Sequence, residues 1–256
     1  LNNYFMSSKF DLNKHELYEI LNNKRIHNLY HANTISTSIT FLNEKHLLSR
    51  KYVSDNGLFQ TEQYSDELDK KFNIWDDIFL DAMDIHSEFK RPNKYGPFLF
   101  SFDISLLKSD DVQNIRITKS NPVNWKTSQS EDDWYYSDLN EFNDKYKKGN
   151  KIRDVGSMLI LRDLDGKFPL QPYLNRLILD NPNLVVNYKN EQQYLANILT
   201  EKINDVITQN GFDDVQKHLR HKHNILNCDC WFKYNYFLLR DFEELKRLFH
   251  PNPNIG

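Results

Sequence analysis

Glycine is scarce and scattered in this chain. The seven glycines stand at 57, 96, 149, 156, 166, 211 and 256. No two are spaced for G-x-G-x-x-G or for G-x-x-x-x-G-K-[ST], so neither glycine-rich phosphate loop is present. G-x-S-x-G and H-E-x-x-H are also missing, which removes the hydrolase elbow and the zincin helix. Cysteine occurs twice, in Cys228-Asp229-Cys230, too few for a fold built on a disulfide framework. No apolar run approaches membrane-spanning length. The first residues carry Asn, Ser, Lys and Asp where a signal peptide needs an apolar stretch. The expectation is a soluble, cytoplasmic protein with no membrane partner. A net charge of −3 advertises no nucleic-acid binder by itself, although local basic patches matter more than the total.

What is present suits a packed core. Apolar residues make up 39% of the 256, with 17 Phe and 14 Tyr among them, enough for one large aromatic-rich domain. Residues 1–11 read as a flexible N-terminal arm and 12–256 as a single domain, with 212–256 a helical C-terminal extension. Asn13 caps a helix carrying Leu17, Ile20 and Leu21, with Glu16 at the capping-box position. Trp75, Ile78, Phe79, Ala82, Met83 and His86 recur at helical spacing and predict an amphipathic helix. Phe98–Asp103, Ile115–Thr118 and Ser157–Leu161 read as strands, and Leu184–Val186 as a weaker one. Trp134 to Lys148 reads as helical, ended by Gly149-Asn150. Asn190 caps a long helix that Gly211 ends. Asp241 caps the last helix and Pro251 closes it. Strands mixed with helices, without βαβ regularity, give an α+β class.

The segment richest in chemistry is Tyr30-His31-Ala32-Asn33-Thr34-Ile35. A short apolar run delivers a tyrosine and a histidine to its end, and amide and hydroxyl side chains follow. A histidine there either holds a polar ligand or is a satisfied structural residue. Together with Phe41-Leu42 and Leu47-Leu48-Ser49, this segment resembles the first motif of the ADP-ribosyltransferase superfamily, in its DarT-like nucleic-acid branch. Tyr95-Gly96-Pro97-Phe98-Leu99-Phe100 is similar to a second strand of that branch. Asn33 stands where the family usually has Thr.

The resemblance implies split mixed sheets with surrounding helices, and NAD held in the cleft between them. It implies that Tyr30, His31, Asn33 and Thr34 line that cleft and that Arg50 meets a phosphate of NAD. It further implies transfer of ADP-ribose to DNA or RNA, and a toxin or phage-conflict effector restrained by an antitoxin protein. Breaking the nicotinamide–ribose bond builds positive charge on the sugar, so a carboxylate should stand nearby. The family's catalytic glutamate precedes a strand most like Ser157-Met158-Leu159-Ile160-Leu161. No glutamate matches it, and Asp154 is the nearest acid. That aspartate equally suits a loop-end role on backbone amides.

Two other constellations stand out. Asp76, Asp77, Asp81, Asp84 and His86 have the residue types of a metal-dependent nuclease. On the predicted helix, Asp77, Asp81 and Asp84 form a solvated face opposite the apolar stripe. His218, His221, His223, Cys228 and Cys230 are zinc-type ligands, but H-x2-H-x-H-x4-C-x-C matches no standard finger, and no metal site is assigned. Lys217, Arg220 and Lys222, interleaved with these histidines, and Trp231 beside them, make a nucleic-acid contact patch. Lys145 to Arg153 is a second basic run. The alternatives to a transferase are a binding module on the same fold without catalysis, and the metal-dependent nuclease.

Overall fold

The computed structural model describes residues 8–146, 156–222 and 226–252. Asn13 caps α1 (Lys14–Asn23) by accepting from the backbone of His15 and Glu16. Strand β1 (Asn28–Asn33) leads into α2 (Ile35–Glu44), which ends at Lys45 in the left-handed region. Strand β2 (His46–Leu48) and helices α3 (Arg50–Asp55) and α4 (Asp66–Lys71) follow. Next come β3 (Ile78–Asp81), the short α5 (Ile85–Phe89), β4 (Phe98–Asp103) and β5 (Asn114–Ile117). Helices α6 (Glu131–Trp134) and α7 (Leu139–Lys145) precede β6 (Met158–Arg162), β7 (Lys167–Pro169) and β8 (Leu174–Leu179). The hairpin β9 (Val185–Tyr188) and β10 (Glu191–Tyr194) then feeds α8 (Leu195–Asn210). Last come β11 (Gln216–Leu219), α9 (Cys230–Arg240) and α10 (Phe242–Phe249).

Seven strands form one sheet in the order β11-β8-β4-β1-β3-β6-β5. Among the described residues, only β11 and β8 pair in parallel. The α+β expectation holds, and so does the split. Strands β1 and β4 pair over six residues, and β3 and β6 over four, all antiparallel. Between β1 and β3 the register holds a single pair, Tyr30 with Asp81. The sheet is thus two halves hinged at one bridge, and a cleft opens where they diverge. β4 is buried along nearly its whole length, with Phe98, Phe100 and Phe102 on one face against the main core. Such two-sided burial explains its near-continuous apolar run. A smaller aromatic cluster of Phe10, Ile74, Trp125, Tyr135 and Ile160 backs the β3–β6 half.

The structure corrects several expectations. Trp75–His86 is no helix: Ile78–Asp81 is a central strand and His86 sits on α5. Four consecutive residues of strand type, buried between β1 and β6, outweigh a helical spacing that a short apolar run cannot distinguish. Residues 8–11 of the expected arm are docked: Phe10 is buried against Tyr135, and Asp11 pairs with Arg116 at 2.8 Å. Asn190 lies in a hairpin turn, and Tyr194 is the cap residue of α8. Gly211 ends α8 and Asp241 caps α10, both as read.

One glycine fixes how the entry to β4 meets the end of β1. A Cβ on Gly96 would lie 2.1 Å from the Asn33 carbonyl carbon and oxygen and 2.4 Å from the Thr34 nitrogen. These are backbone atoms that cannot swing aside, so the close approach of β4's entry to β1's exit requires glycine. Gly96→Ala is expected to cost about 1–3 kcal/mol, as overpacking does, and to lower the urea midpoint. An unchanged midpoint would contradict the close approach.

Candidate functional site

The cleft at the hinge encloses about 760 Å³, counting its open mouth. His31 and Asn33 come from β1, Phe79 and Asp81 from β3, and Met158 from β6. Arg50, Gln63, Asp69, Asp77, Tyr95 and Asn121 line it as well.

His31 is fixed by its neighbours. Its Nδ1 lies 2.9 Å from the Phe79 carbonyl oxygen. A carbonyl only accepts, so Nδ1 carries the proton and Nε2 is left as an acceptor. Asn33 Nδ2 stands 3.5 Å from Nε2. Desolvation lowers the imidazole's pKa against the opposing Phe79 bond, and the Arg50 charge lowers it further. His31 is therefore neutral at pH 7 and offers the cleft a hydrogen-bond acceptor. Asn33 is oriented in turn, its Oδ1 accepting from the Thr34 N–H at 2.9 Å and from Gln63 Nε2 at 3.4 Å.

Three aspartates line the same space, and burial raises all of them. Asp69 is pushed up to about 6 by desolvation, against one bond from Ser65. Asp77 is also pushed up to about 6 by desolvation, despite Arg162 at 2.9 Å on one oxygen. Its other oxygen is buried with no hydrogen-bond partner. Asp81 is pushed up to about 7 by desolvation alone. It is 7% exposed, and none of the hydrogen bonds or ion pairs among the described residues reaches its carboxylate. Tyr95, raised to about 12 chiefly by desolvation, stays protonated beside Asn121 and near Asp81 and Asp69.

The expected residues divide. His31 and Asn33 line the cleft, and Arg50 does too. Arg50, however, spends Nε and Nη2 on Asp66 and Nη1 on the Thr61 carbonyl. The bidentate fork expected for a phosphate thus already grips a carboxylate, and two of the five guanidinium N–H groups remain. Tyr30 is not among the cleft residues. Strand alternation sends it to the other face from His31, toward Asp84, Arg176 and Arg220. Thr34 is fully buried behind the cleft, its hydroxyl bonded to Thr37 and Thr61 at 3.1 and 2.8 Å. Asp154 lies outside the described residues, as does most of the basic run 145–153.

Arg220 is not part of an exposed patch. It grips Asp84 and Asp180 at 2.8 Å. Lys217 and Lys222 are exposed, and Trp231 is partly so. Among the described residues, no three carboxylates offer ligand atoms within 4.8 Å of one another. The aspartates of the nuclease reading are therefore not gathered. The grouped donors are instead His86, Cys228 and Cys230. Neither His218 nor His221 joins them, and His223 lies outside the described residues.

No family model matches the chain, and no curated protein does. Its fold is similar to solved structures of DarT from Thermus sp. 2.9. With the complex with NAD+, identity is 10% over 76% of this chain and 96% of that one, at a TM-score of 0.44. With the complex with ADP-ribosylated single-stranded DNA, identity is 9% over 77% and 95%, at 0.47. With the complex with carba-NAD+, it is 9% over 77% and 96%, at 0.43. A likeness at that level leaves activity, ligand and residue roles to the chain's own geometry.

The sequence pointed away from Asp77 and Asp81 because a helical period put them on a solvated face. A strand assignment for Ile78–Asp81 would have buried both. Asp81 carries a stability signature. Its pKa is raised on folding, so the folded state is favoured below the unfolded value of about 3.9. That advantage is lost as pH rises through about 7. Asp81→Asn removes the ionisable group at equal size. It is expected to be no more stable than wild type near pH 4 and more stable at pH 8, by up to about 4 kcal/mol. Urea unfolding across that range measures the difference, and a constant gap between the two proteins would contradict it.

Proposed function

We propose that this chain is an NAD-dependent ADP-ribosyltransferase whose acceptor is nucleic acid. The observation that carries the reading is that a neutral His31 and an unpaired, buried Asp81 line the same cleft. It agrees with the sequence resemblance of the Tyr30–Ile35 and Tyr95–Phe100 segments to the superfamily. In that resemblance the carboxylate belongs at the start of the strand beginning at Met158. Asp81 is the cross-strand partner of Met158, so it brings a carboxylate to that place from β3.

In this reading His31 Nε2 accepts a hydrogen bond from a ribose hydroxyl. The glycosidic C–N bond breaks, and its electron pair leaves with nicotinamide, whose ring charge is neutralised. The sugar becomes an oxocarbenium ion, stabilised by the Asp81 carboxylate in a low-dielectric wall. A nucleobase nitrogen or oxygen attacks the cation, and its proton passes to Asp81, whose pKa near 7 suits a general base. The unpartnered Asp77 oxygen accepts an N–H or O–H from the ligand. The two remaining Arg50 N–H groups face its phosphates. Lys217 and Lys222 supply charge for a nucleic-acid backbone, and Trp231, with exposed Phe232 and Tyr236 on the same helix, supplies surfaces for stacking. Restraint by an antitoxin protein belongs to the same reading, through the resemblance.

Incubation with labelled NAD and single-stranded DNA or RNA tests the proposal. Asp81→Asn should lower transfer by roughly 100- to 1000-fold, as loss of a preorganised charge-stabilising group does, a loss larger than the weakening of NAD affinity read by calorimetry. Asp154→Asn should keep transfer within a few-fold. The opposite pattern would move the catalytic role to Asp154, and no transfer by wild type despite NAD binding would favour a binding module. Separately, His31→Ala should weaken NAD binding roughly tenfold, the worth of one hydrogen bond, without a large loss of melting temperature. Unchanged affinity would remove His31 from the ligand site.

A further inference from the structure

On the far side of β4 from the hinge, α5 and the start of α9 bring three buried side chains together. His86 Nε2 lies 3.2 Å from Cys228 Sγ and 3.1 Å from Cys230 Sγ. The two sulfurs are joined as a disulfide in this structure. His86 Nδ1 lies 2.7 Å from Asp180 Oδ1. Arg220 also pairs with that carboxylate. An ionised carboxylate only accepts, so His86 donates from Nδ1 and its Nε2 presents a lone pair. The three donor atoms, the imidazole nitrogen and the two sulfurs, lie within 4.8 Å of one another.

We propose that His86, Cys228 and Cys230, with both cysteines reduced, form a site for a thiophilic d10 cation, zinc. Two thiolates and one imidazole are a common zinc donor set, with the fourth position left to an exogenous ligand. The carboxylate behind the histidine is the usual second partner of a zinc-bound imidazole, fixing its tautomer and orientation. Tyr234 Oη and Arg220 Nε bond that carboxylate at 2.6 and 2.8 Å, so the support is itself held. Cys230 opens the eleven-residue α9, where a helix N-terminus favours a thiolate. Its backbone N–H points at Cys228 Sγ from 3.4 Å. A thiol reductant supplies two electrons to the Cys228–Cys230 bond and is itself oxidised to a disulfide. Zinc then displaces the two thiol protons to solvent.

The site would tie α5, which follows the Asp81 strand, to the C-terminal helices. Helix α10 reaches back to the cleft, where Arg247 donates to the Gln63 side-chain oxygen at 3.4 Å. The role is one of anchoring, independent of the proposed transfer.

The test is elemental analysis and thiol counting on full-length protein purified with a thiol reductant and without chelator. About one zinc per chain is expected, with both thiols shielded from alkylation until a chelator is added. Cobalt(II) in place of zinc should give a thiolate-to-cobalt charge-transfer band. Cys228→Ser with Cys230→Ser, and His86→Ala, should each hold less than a tenth of the wild-type metal. Asp180→Asn should weaken zinc affinity roughly 10- to 100-fold. Wild type that contains no zinc and gives no cobalt band overturns the proposal, whether its sulfurs remain a disulfide in reductant or alkylate freely. That outcome needs no variant to fold.

Discussion

The narrow joint between β1 and β3 governs the rest of the structure. A full ladder there would have closed the sheet over its own middle. With only Tyr30 opposite Asp81, the two halves splay, and His31, Asn33, Phe79 and Asp81 line the space between them. The cleft is therefore a consequence of pairing, and Phe79 shows how closely it is held: its carbonyl accepts from His31 across the divide. That bond spans the two halves and sets the tautomer of His31, which lines the cleft.

Two buried aspartates are built differently. Asp180 has a histidine, an arginine and a tyrosine around it, and its charge is favoured despite burial. Removing one of those partners would expose the cost of an uncompensated charge, which runs to several kcal/mol. Asp81 has no such partners, and its charge is disfavoured. A fold under selection for stability alone gains nothing from a carboxyl in that position, since an amide or apolar residue of like size would be cheaper. Unpaired acids in a cleft are where chemistry is found. Asp69 and Asp77 repeat the pattern more weakly, each with a partial partner.

Much of this was readable in the chain. The Asn13 cap, the glycine at 211 and the apolar run Phe98–Phe102 gave local elements that the fold keeps. His31 and Asn33 located the cleft, although Tyr30 and Thr34 beside them do not line it. What failed did so for reasons of range. Periodicity could not separate a four-residue central strand from one turn of helix, so Asp77 and Asp81 were placed on the wrong surface. Nothing local says that Arg50 will meet Asp66, or that Arg220 will be drawn between Asp84 and Asp180. Nor does spacing reveal that His86, 142 residues before Cys228, is the histidine the cysteines meet.

The account rests on Asp81 being a carboxyl that holds its proton near neutrality and answers to NAD. Carbon-13 NMR of the aspartate carboxyl groups, assigned through Asp81→Asn, reads this directly as pH is varied with and without NAD. The account predicts a midpoint near 7 in the free protein and a lower one with NAD bound, because the positive nicotinamide ring favours the ionised form. A midpoint in the ordinary aspartate range near 4, or one that NAD leaves unmoved, would contradict it.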